Sequence, residues 1–180
     1  MATMLQPGKT YSFADVTANI LGPGIVTGLG YEAGVAEEGI SLEPEGQKTK
    51  YDAGADGGWM YSLRVVNPAI VTVRLLKTSN VNSKLMTAYN LQRLTSLTWG
   101  QNIITIKQHV ASDTIILQGC AFENPPSLEY GTNGGINVWK FLVGRMTIFL
   151  GEYEEWVYQQ SQQAQTQNQQ KSSTSTGTTS

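Results

Sequence analysis

His109 is the only histidine in the chain, so a Ser-His-Asp or Cys-His nucleophilic site would have to be built on it. Such a site needs a nucleophile whose proton the imidazole takes and a third group that orients the ring. His109 ends the run Lys107-Gln108-His109, inside a segment with strand character, and no G-x-S-x-G occurs anywhere. Catalysis at His109 is not expected. Cys120 is the only cysteine, which excludes an internal disulfide and a cysteine-based metal cluster. It follows Gly119 near a strand end and reads as a small buried residue rather than a reactive thiol.

Three further patterns carry weaker chemical signals. Gly28-Leu29-Gly30-Tyr31-Glu32-Ala33-Gly34 echoes a dinucleotide fingerprint, but no helix and no βαβ unit follow, so the phosphate cradle is missing. Asp52-Ala53-Gly54-Ala55-Asp56-Gly57-Gly58 echoes a calcium loop. Two carboxylates and nearby carbonyls could ligate the cation, yet the spacing matches no full EF-hand. A glycine-rich contact loop fits it better, and no cofactor or metal is expected. Glu152, Glu154 and Glu155 could be paired acids for glycoside cleavage; adjacent carboxylates at a domain edge fit a solvated face better. With no catalytic constellation in view, the chain is not expected to be an enzyme.

The 180 residues suit one domain with a sizeable core. Hydrophobic residues make up 40%, but charged residues only 14%, and a surface with so little charge suits a protein that covers itself with neighbours. The net charge of −2 excludes a basic nucleic-acid footprint. The charges are segregated. Residues 32–56 are acidic (Glu32, Glu37, Glu38, Glu43, Glu45, Asp52, Asp56 against Lys48 and Lys50) and residues 60–119 basic (Arg64, Arg74, Lys77, Lys84, Arg93, Lys107 against Asp113). Residues 120–158 turn acidic again. Such blocks can pair within a molecule or between copies. Met1 to Lys9 lacks a signal-peptide pattern, and no apolar run reaches the roughly 18–20 residues of a membrane span.

The elements that must position these residues are mostly strands. Glycines cluster at turns: Gly22-Pro23-Gly24, Gly28-Leu29-Gly30, Gly57-Gly58 and Gly134-Gly135. Strands are expected over Tyr11–Leu21, Glu38–Lys50, Ala69–Lys77, Gln101–Val110, Thr114–Gly119 and Ile136–Leu150, with a bend or bulge at Gly144. In the second, Ile40 and Leu42 alternate with Ser41, Glu43, Glu45 and Gln47, a half-buried strand with one polar face. Ala69–Lys77 is apolar on both faces, as a central strand is. From Asn80 to about Leu94 the apolar spacing turns helical, with Ser79 or Asn80 as N-cap. The fold expected is mainly β, a sandwich or barrel with a single central helix. The domain spans 11–158. Residues 1–10 are expected as a flexible arm, and the Gln/Ser/Thr-rich stretch 159–180 as a low-complexity tail with almost nothing to bury.

Certain runs resemble a known family. They are Tyr11-Ser12-Phe13-Ala14-Asp15-Val16 with Leu21-Gly22-Pro23-Gly24, Ala36-Glu37-Glu38-Gly39-Ile40, Gly54-Ala55-Asp56-Gly57, and Val71-Thr72-Val73-Arg74-Leu75-Leu76-Lys77-Thr78-Ser79 running into Val81-Asn82. Trp99-Gly100-Gln101-Asn102 completes the set. Over residues 11–151 they are similar to the tail tube proteins of long-tailed, contractile phages. The resemblance implies a β-sandwich-like subunit with a flanking helix. Six copies would form a ring, and rings would stack into a hollow tube, assembled in the host cytoplasm and carried in the virion tail. DNA would pass through without specific binding. The implied partners are other copies, a tail sheath, a baseplate or initiator, a tape measure and a tail terminator, with no membrane anchor. The low-complexity tail has no counterpart in that pattern.

The residues are then assigned roles. A wall that carries DNA should repel phosphate, within a Debye length of about 8 Å at physiological salt. Ser41, Glu43, Glu45 and Gln47 are the candidates for it. Ala53, Gly54, Asp56, Gly57, Trp59, Met60 and Tyr61 are the candidates for contact between subunits or rings, where glycine supplies turn freedom and the aromatics supply buried area. The competing reading makes Trp59 and Tyr61 ordinary core residues. Lys84 and Arg93 mark the outer helix face, toward an acidic neighbour or the sheath. Two rivals remain open: a carbohydrate- or protein-binding β module, stacking sugars on Trp59, Trp99, Trp139 and Trp156, and a secretion-system ring protein.

Overall fold

In Val16–Gly22 (β1) the residues Val16, Ala18 and Ile20 are buried while Thr17, Asn19 and Leu21 are exposed, the two-residue period of a half-buried strand. The structure is a computed structural model, and it describes residues 10–132 and 134–152. Pro23 and Gly24 turn β1 into Ile25–Gly28 (β2). Gly24 sits at φ 77°, a conformation that side chains resist and glycine adopts freely. Then come Val35–Pro44 (β3), the hairpin Thr49–Ala53 (β4) and Trp59–Leu63 (β5), and Ala69–Leu76 (β6). One helix follows, Val81–Gln92 (α1), and then Asn102–Gln108 (β7), Asp113–Phe122 (β8) and Ile136–Phe149 (β9).

Seven of these strands form one sheet in the order β2-β1-β7-β8-β9-β6-β3, and β4 and β5 pair apart from it. The named pairings are all antiparallel. The expected mainly β fold with one helix is therefore present, as a single sheet curled into a half-barrel rather than two stacked sheets. Register sets the buried face. Ile20, Ile104 and Leu117 lie in one cross-strand row, Phe122, Phe141 and Val71 in another, and Trp139 lies beside Val73. Phe122 is the hub of an aromatic cluster, with ring centroids 4.8 Å from Phe141, 5.7 Å from Tyr89 and 5.8 Å from Trp139.

The helix lies over this face. Val81, Leu85, Ala88 and Gln92 are its buried residues, at the three- and four-residue spacing of one helical stripe. Its start is capped one residue earlier than Asn80: Ser79 Oγ accepts from Val81 N at 3.2 Å and also donates to Ala33 O. A buried amide pair ties the helix to the sheet. Gln92 Nε2 donates to Asn102 Oδ1 and Asn102 Nδ2 to Gln92 Oε1, both at 2.8 Å. The second Asn102 proton goes to Cys120 O at 2.9 Å and the second Gln92 proton to Pro23 O at 2.9 Å. All four N–H donors are thus used, which is what makes such a buried polar pair tolerable.

Strands β2 and β5 were not among those expected, and three further features differ from expectation. The first strand starts at Val16 because Ser12 Oγ accepts from Ala14 N at 3.2 Å and holds Phe13–Asp15 in a 3-10 turn. The stretch expected as one strand, Glu38–Lys50, breaks after Pro44, and Gly46 takes φ 75° before β4 begins. Of the bend or bulge expected at Gly144, a bulge is absent from β9, which pairs with β8 in unbroken register through it. The irregularity lies on β8, where its register with β7 shifts and Gly119 sits at φ 67°, as in a bulge with glycine in the left-handed region.

Candidate functional site

Between β3 and β6 the chain leaves the sheet as a two-stranded arm. β4 and β5 pair from Thr49↔Leu63 to Ala53↔Trp59. The tip is a glycine turn: Gly54 N donates to Gly58 O at 2.8 Å, and Gly58 N donates to Asp56 Oδ1 at 3.1 Å. Gly57, at φ 84°, supplies the left-handed residue this turn requires. At the base, Arg64 N donates to Lys48 O at 2.9 Å and Glu45 N to Pro68 O at 2.9 Å.

The arm brings all seven contact candidates together: Ala53, Gly54, Asp56, Gly57, Trp59, Met60 and Tyr61. Tyr51, Trp59, Met60, Tyr61 and Leu63 are each between 58% and 70% exposed, and Val65 and Val66 beyond them are exposed too. Trp59 and Tyr61 are not core residues. The Tyr51 and Tyr61 rings touch across the hairpin, with centroids 5.6 Å apart, and so present one aromatic surface. Soluble monomers rarely display contiguous apolar area on this scale without a use for it. Sequence pattern could not separate this reading from burial in the core, because both demand large apolar side chains.

The polar-wall candidates divide. Ser41 and Glu43 lie on β3, opposite Thr72 and Ile70, while Glu45 and Gln47 lie beyond the end of the strand, at the base of the arm. The four do not form one strand face, because β3 stops at Pro44. Ser41 Oγ accepts from Arg74 Nη1 at 3.2 Å, and Lys140 lies in the same cross-strand row through Thr72. This face therefore carries both signs of charge. Lys84 of α1 and Arg93, which caps its C-terminal end, are both exposed, but nine residues is about two and a half turns, so they flank the buried stripe from opposite sides and do not share one outer face. Among the described residues the ion pair is Lys50 Nζ to Asp52 Oδ1, 3.2 Å, and it lies within the arm.

The chemical candidates have structural partners. His109 Nε2 lies 3.0 Å from the Thr17 Oγ1 hydroxyl. In the fingerprint-like run, Leu29 is buried, and a Cβ on Gly30 would come within 2.8 Å of Ala18 N; Gly30 serves close chain packing. Asp56 caps the arm's turn and Asp52 pairs with Lys50, and among the described residues no cluster of three or more His, Cys, Asp or Glu could hold a metal. Trp139 is fully buried and donates through Nε1 to Asn82 Oδ1 at 2.9 Å, and Trp99 packs against Tyr89. Those two tryptophans are not free to stack sugars. Trp156, Glu154, Glu155 and the 159–180 tail lie outside the described residues, and Glu152 is exposed.

Burial pushes the Cys120 thiol up to about 11 from its ordinary 9.0, against a smaller lowering by a backbone hydrogen bond. The folded state thus holds this proton more tightly than the unfolded chain. The stabilisation is complete below pH 9 and is lost as pH rises toward 11, by about 2–3 kcal/mol in all. Cys120→Ala is expected to lose this part of the pH dependence in denaturant titrations at pH 8 and pH 11. An unchanged difference between the two pH values would place its origin elsewhere.

Two residues of the buried face, Asn102 and Gln108, were not singled out as candidates. Their signal was parity: they share the inward register with Ile104 and Ile106, so an amide there must find partners inside.

A family model described as Bacteriophage PhiTE tail tube protein matches residues 9–151. Among solved structures, the fold is similar to a chain of the PVC sheath/tube terminator of an extracellular contractile injection system in its extended state. The TM-score is 0.52 at 13% identity, over 82% of this chain and 99% of that one. It is also similar to a chain of the anti-feeding prophage baseplate, 6-fold symmetrised, with TM-score 0.50 at 15% identity, over 81% and 97% of the two chains. At these identities the likeness is one of fold. No curated protein sequence matches the chain.

Proposed function

The chain belongs to the family of bacteriophage PhiTE tail tube proteins, and from that membership we propose that it assembles with copies of itself into stacked rings of six that form the conduit for DNA. It is a structural component of a phage tail. The observation that carries the assembly reading is the arm, a hairpin whose aromatic and aliphatic side chains stand largely exposed among the described residues. Docked on a neighbouring copy, it would bury area of the kind that supplies most interface energy.

Two features support the same reading. Among the described residues the sheet ends in unpaired edges, β2 and β3, and rows of free N–H and C=O groups are a template for pairing with another chain. A ring of subunits that joins such edges closes them. The charge blocks stay largely unmatched within the described subunit, which leaves them available to neighbours. Six subunits is a choice supported by the six-fold symmetry of the baseplate whose chain shares this fold. The likeness to a chain of the sheath/tube terminator of a contractile injection system, with that to the baseplate, supports a contractile tail with sheath, baseplate and terminator as partners; a tape measure is added from the family resemblance alone. Ser41 and Glu43 are the part of the candidate wall that stays on a strand. The repulsive wall is proposed for the face they share, with Arg74 and Lys140 tempering it.

Negative-stain electron microscopy of the purified, untagged protein at low and high concentration tests the assembly. Rings of uniform diameter or hollow tubes are expected. A monomer at every concentration, unchanged by adding tail initiator, would overturn it.

A further inference from the structure

A strand turns its backbone groups to left and right on alternate residues, and the same alternation sends side chains to one face or the other. On β3 the hydrogen-bonding phase is set by Glu45 N, which donates to Pro68 O one step beyond the pair Pro44↔Ala69. Glu43 and Ser41 therefore bond inward to β6, and the N–H and C=O groups of Ile40 and Leu42 point out from the free edge. The side chains of these two residues lie on the core side of the sheet, only partly covered. There they line an apolar groove of about 180 Å³ with Phe13, Ile106 and Ile115. Gln108 lines it too, and its Nε2 has no hydrogen-bond partner among the described residues. Edge and groove lack cover at the same place, and one added strand with apolar side chains would cover both.

The arm carries such a strand. Arg64 N donates to Lys48 O and Gly54 N to Gly58 O, so the even-numbered residues are the ones hydrogen-bonded between β4 and β5. The N–H and C=O groups of Trp59, Tyr61 and Leu63 are left facing outward on β5, and their side chains are each more than 60% exposed. We propose that β5 of one copy pairs antiparallel with the edge of β3 of a second copy, Leu63 opposite Ile40, Tyr61 opposite Leu42 and Trp59 opposite Pro44. Opposed residues share a face of the sheet, so this pairing brings Tyr61 and Leu63 over the groove, where the phenol oxygen is an acceptor suited to Gln108. Pro44 has no N–H, but its carbonyl still accepts from Trp59. The lengths agree, since β5 has five residues and the paired stretch after the β3 bulge runs from Ile40 to Pro44. Charge favours the antiparallel sense. It brings Arg64, which follows Leu63 and has no ion pair among the described residues, toward the exposed Glu37 of the bulge. Parallel pairing would set Asp56 against Glu37 instead. The arm of the same chain cannot take this place, because it leaves from the ends of β3 and β6 and is held there by Glu45 N and Pro68 O. Edge and arm are different patches of one subunit, so their contact is head-to-tail, the kind that closes a ring or continues a stack. The proposal rests on the assembly reading and names where the arm lands.

Residue-resolved hydrogen exchange of the parent protein before and after assembly tests it. The amides of Ile40, Leu42, Tyr61 and Leu63 are expected to slow by about tenfold or more, since they would then exchange only when the interface opens. Slowing on β5 with none at Ile40 and Leu42 would overturn this pairing and leave the arm as a contact made elsewhere. Slowing at neither place would remove the assembly reading together with the pairing. Cysteines then distinguish β5 from any other strand on the same edge. Chains with Ile40→Cys, co-assembled with chains carrying Leu63→Cys and mildly oxidised, are expected to give a disulfide-linked dimer of unlike chains, identified by mass. Opposed residues in such a pair lie about 5.5 Å apart at Cα, within disulfide reach. The native Cys120 is buried and does not compete. Ser41→Cys in place of Ile40→Cys is expected to give no link, its side chain being on the other face. Protected edge amides without the Ile40→Cys link, or equal linking from Ser41→Cys, would overturn the proposal.

Discussion

Replacing Leu85 with aspartate is expected to abolish folding, leaving the protein insoluble or unfolded by circular dichroism. Leu85 has no exposed surface and sits at the centre of the buried stripe of α1, between Val81 and Ala88. Truncating such a leucine costs about 2–5 kcal/mol through lost burial and the void left behind. An aspartate adds the burial of a carboxylate with no cation in reach, several kcal/mol more, or about as much if it takes up a proton to avoid the charge. The sum is comparable with the whole stability of a domain, about 5–15 kcal/mol. Leu94→Asp is the control. Leu94 follows the helix and is exposed, so the same chemical change there is expected to leave a folded protein. A soluble Leu85→Asp variant with parental melting would refute the way α1 is laid on the sheet.

That prediction was readable from the sequence because helical spacing and the burial it implies are the same fact. Val81, Leu85 and Ala88 recur at intervals that only a helix brings onto one side. The strands β6 and β9 were equally legible, the first at Ala69 with its apolar residues on both faces, the second from Ile136 onward. What failed was subtler. Nothing in the alternation of Ser41, Glu43, Glu45 and Gln47 announces a break, because polar residues alternate as well in a turn as in a strand. The evidence lay in the intervening positions. Pro44, Gly46 and Lys48 replace the apolar partners that Ile40 and Leu42 supply, and a strand with nothing to bury has no reason to continue. The bend or bulge assigned to Gly144 shows a related difficulty. Gly119 and Gly144 lie across from each other on β8 and β9, a Cβ on Gly119 falling 3.9 Å from Gly144 Cα. Only the pairing of the strands reveals which of the two carries the irregular backbone.

The arm was legible as chemistry but not as location. Its glycine turn and the neighbouring Trp59, Met60 and Tyr61 marked it as a place where area is buried, and the sequence left open whether the core or a neighbour buries it. Hydrophobicity records only that water is excluded in the final state. A tryptophan destined for a core and one destined for an interface satisfy the same requirement; Trp139 lies in the core, and Trp59 is proposed for an interface. The structure separates them by cover: Phe122 and Asn82 hold Trp139 in place, while Trp59 stands 69% exposed.

Trp59→Ala combined with Tyr61→Ala is therefore expected to abolish assembly while leaving the subunit's own stability within about 0.5 kcal/mol of the parent, as for exposed positions generally. Both side chains lie on the same side of β5, two residues apart, and Tyr61 meets Tyr51 across the pair. Aromatic residues at the centre of an interface commonly cost 2 kcal/mol or more when cut to alanine, about 30-fold in dissociation constant for each. Two such losses at one contact weaken it about a thousandfold before any coupling between them. Repetition in a stacked tube multiplies the effect, since every subunit presents the same defect. Sedimentation velocity and electron microscopy would then find monomers where the parent forms rings and tubes, with matching melting curves for the monomeric species. Undiminished tubes would show that the arm's apolar surface is not the contact. A lowered melting temperature would show instead that these rings are covered within their own subunit, which the exposed hairpin contradicts.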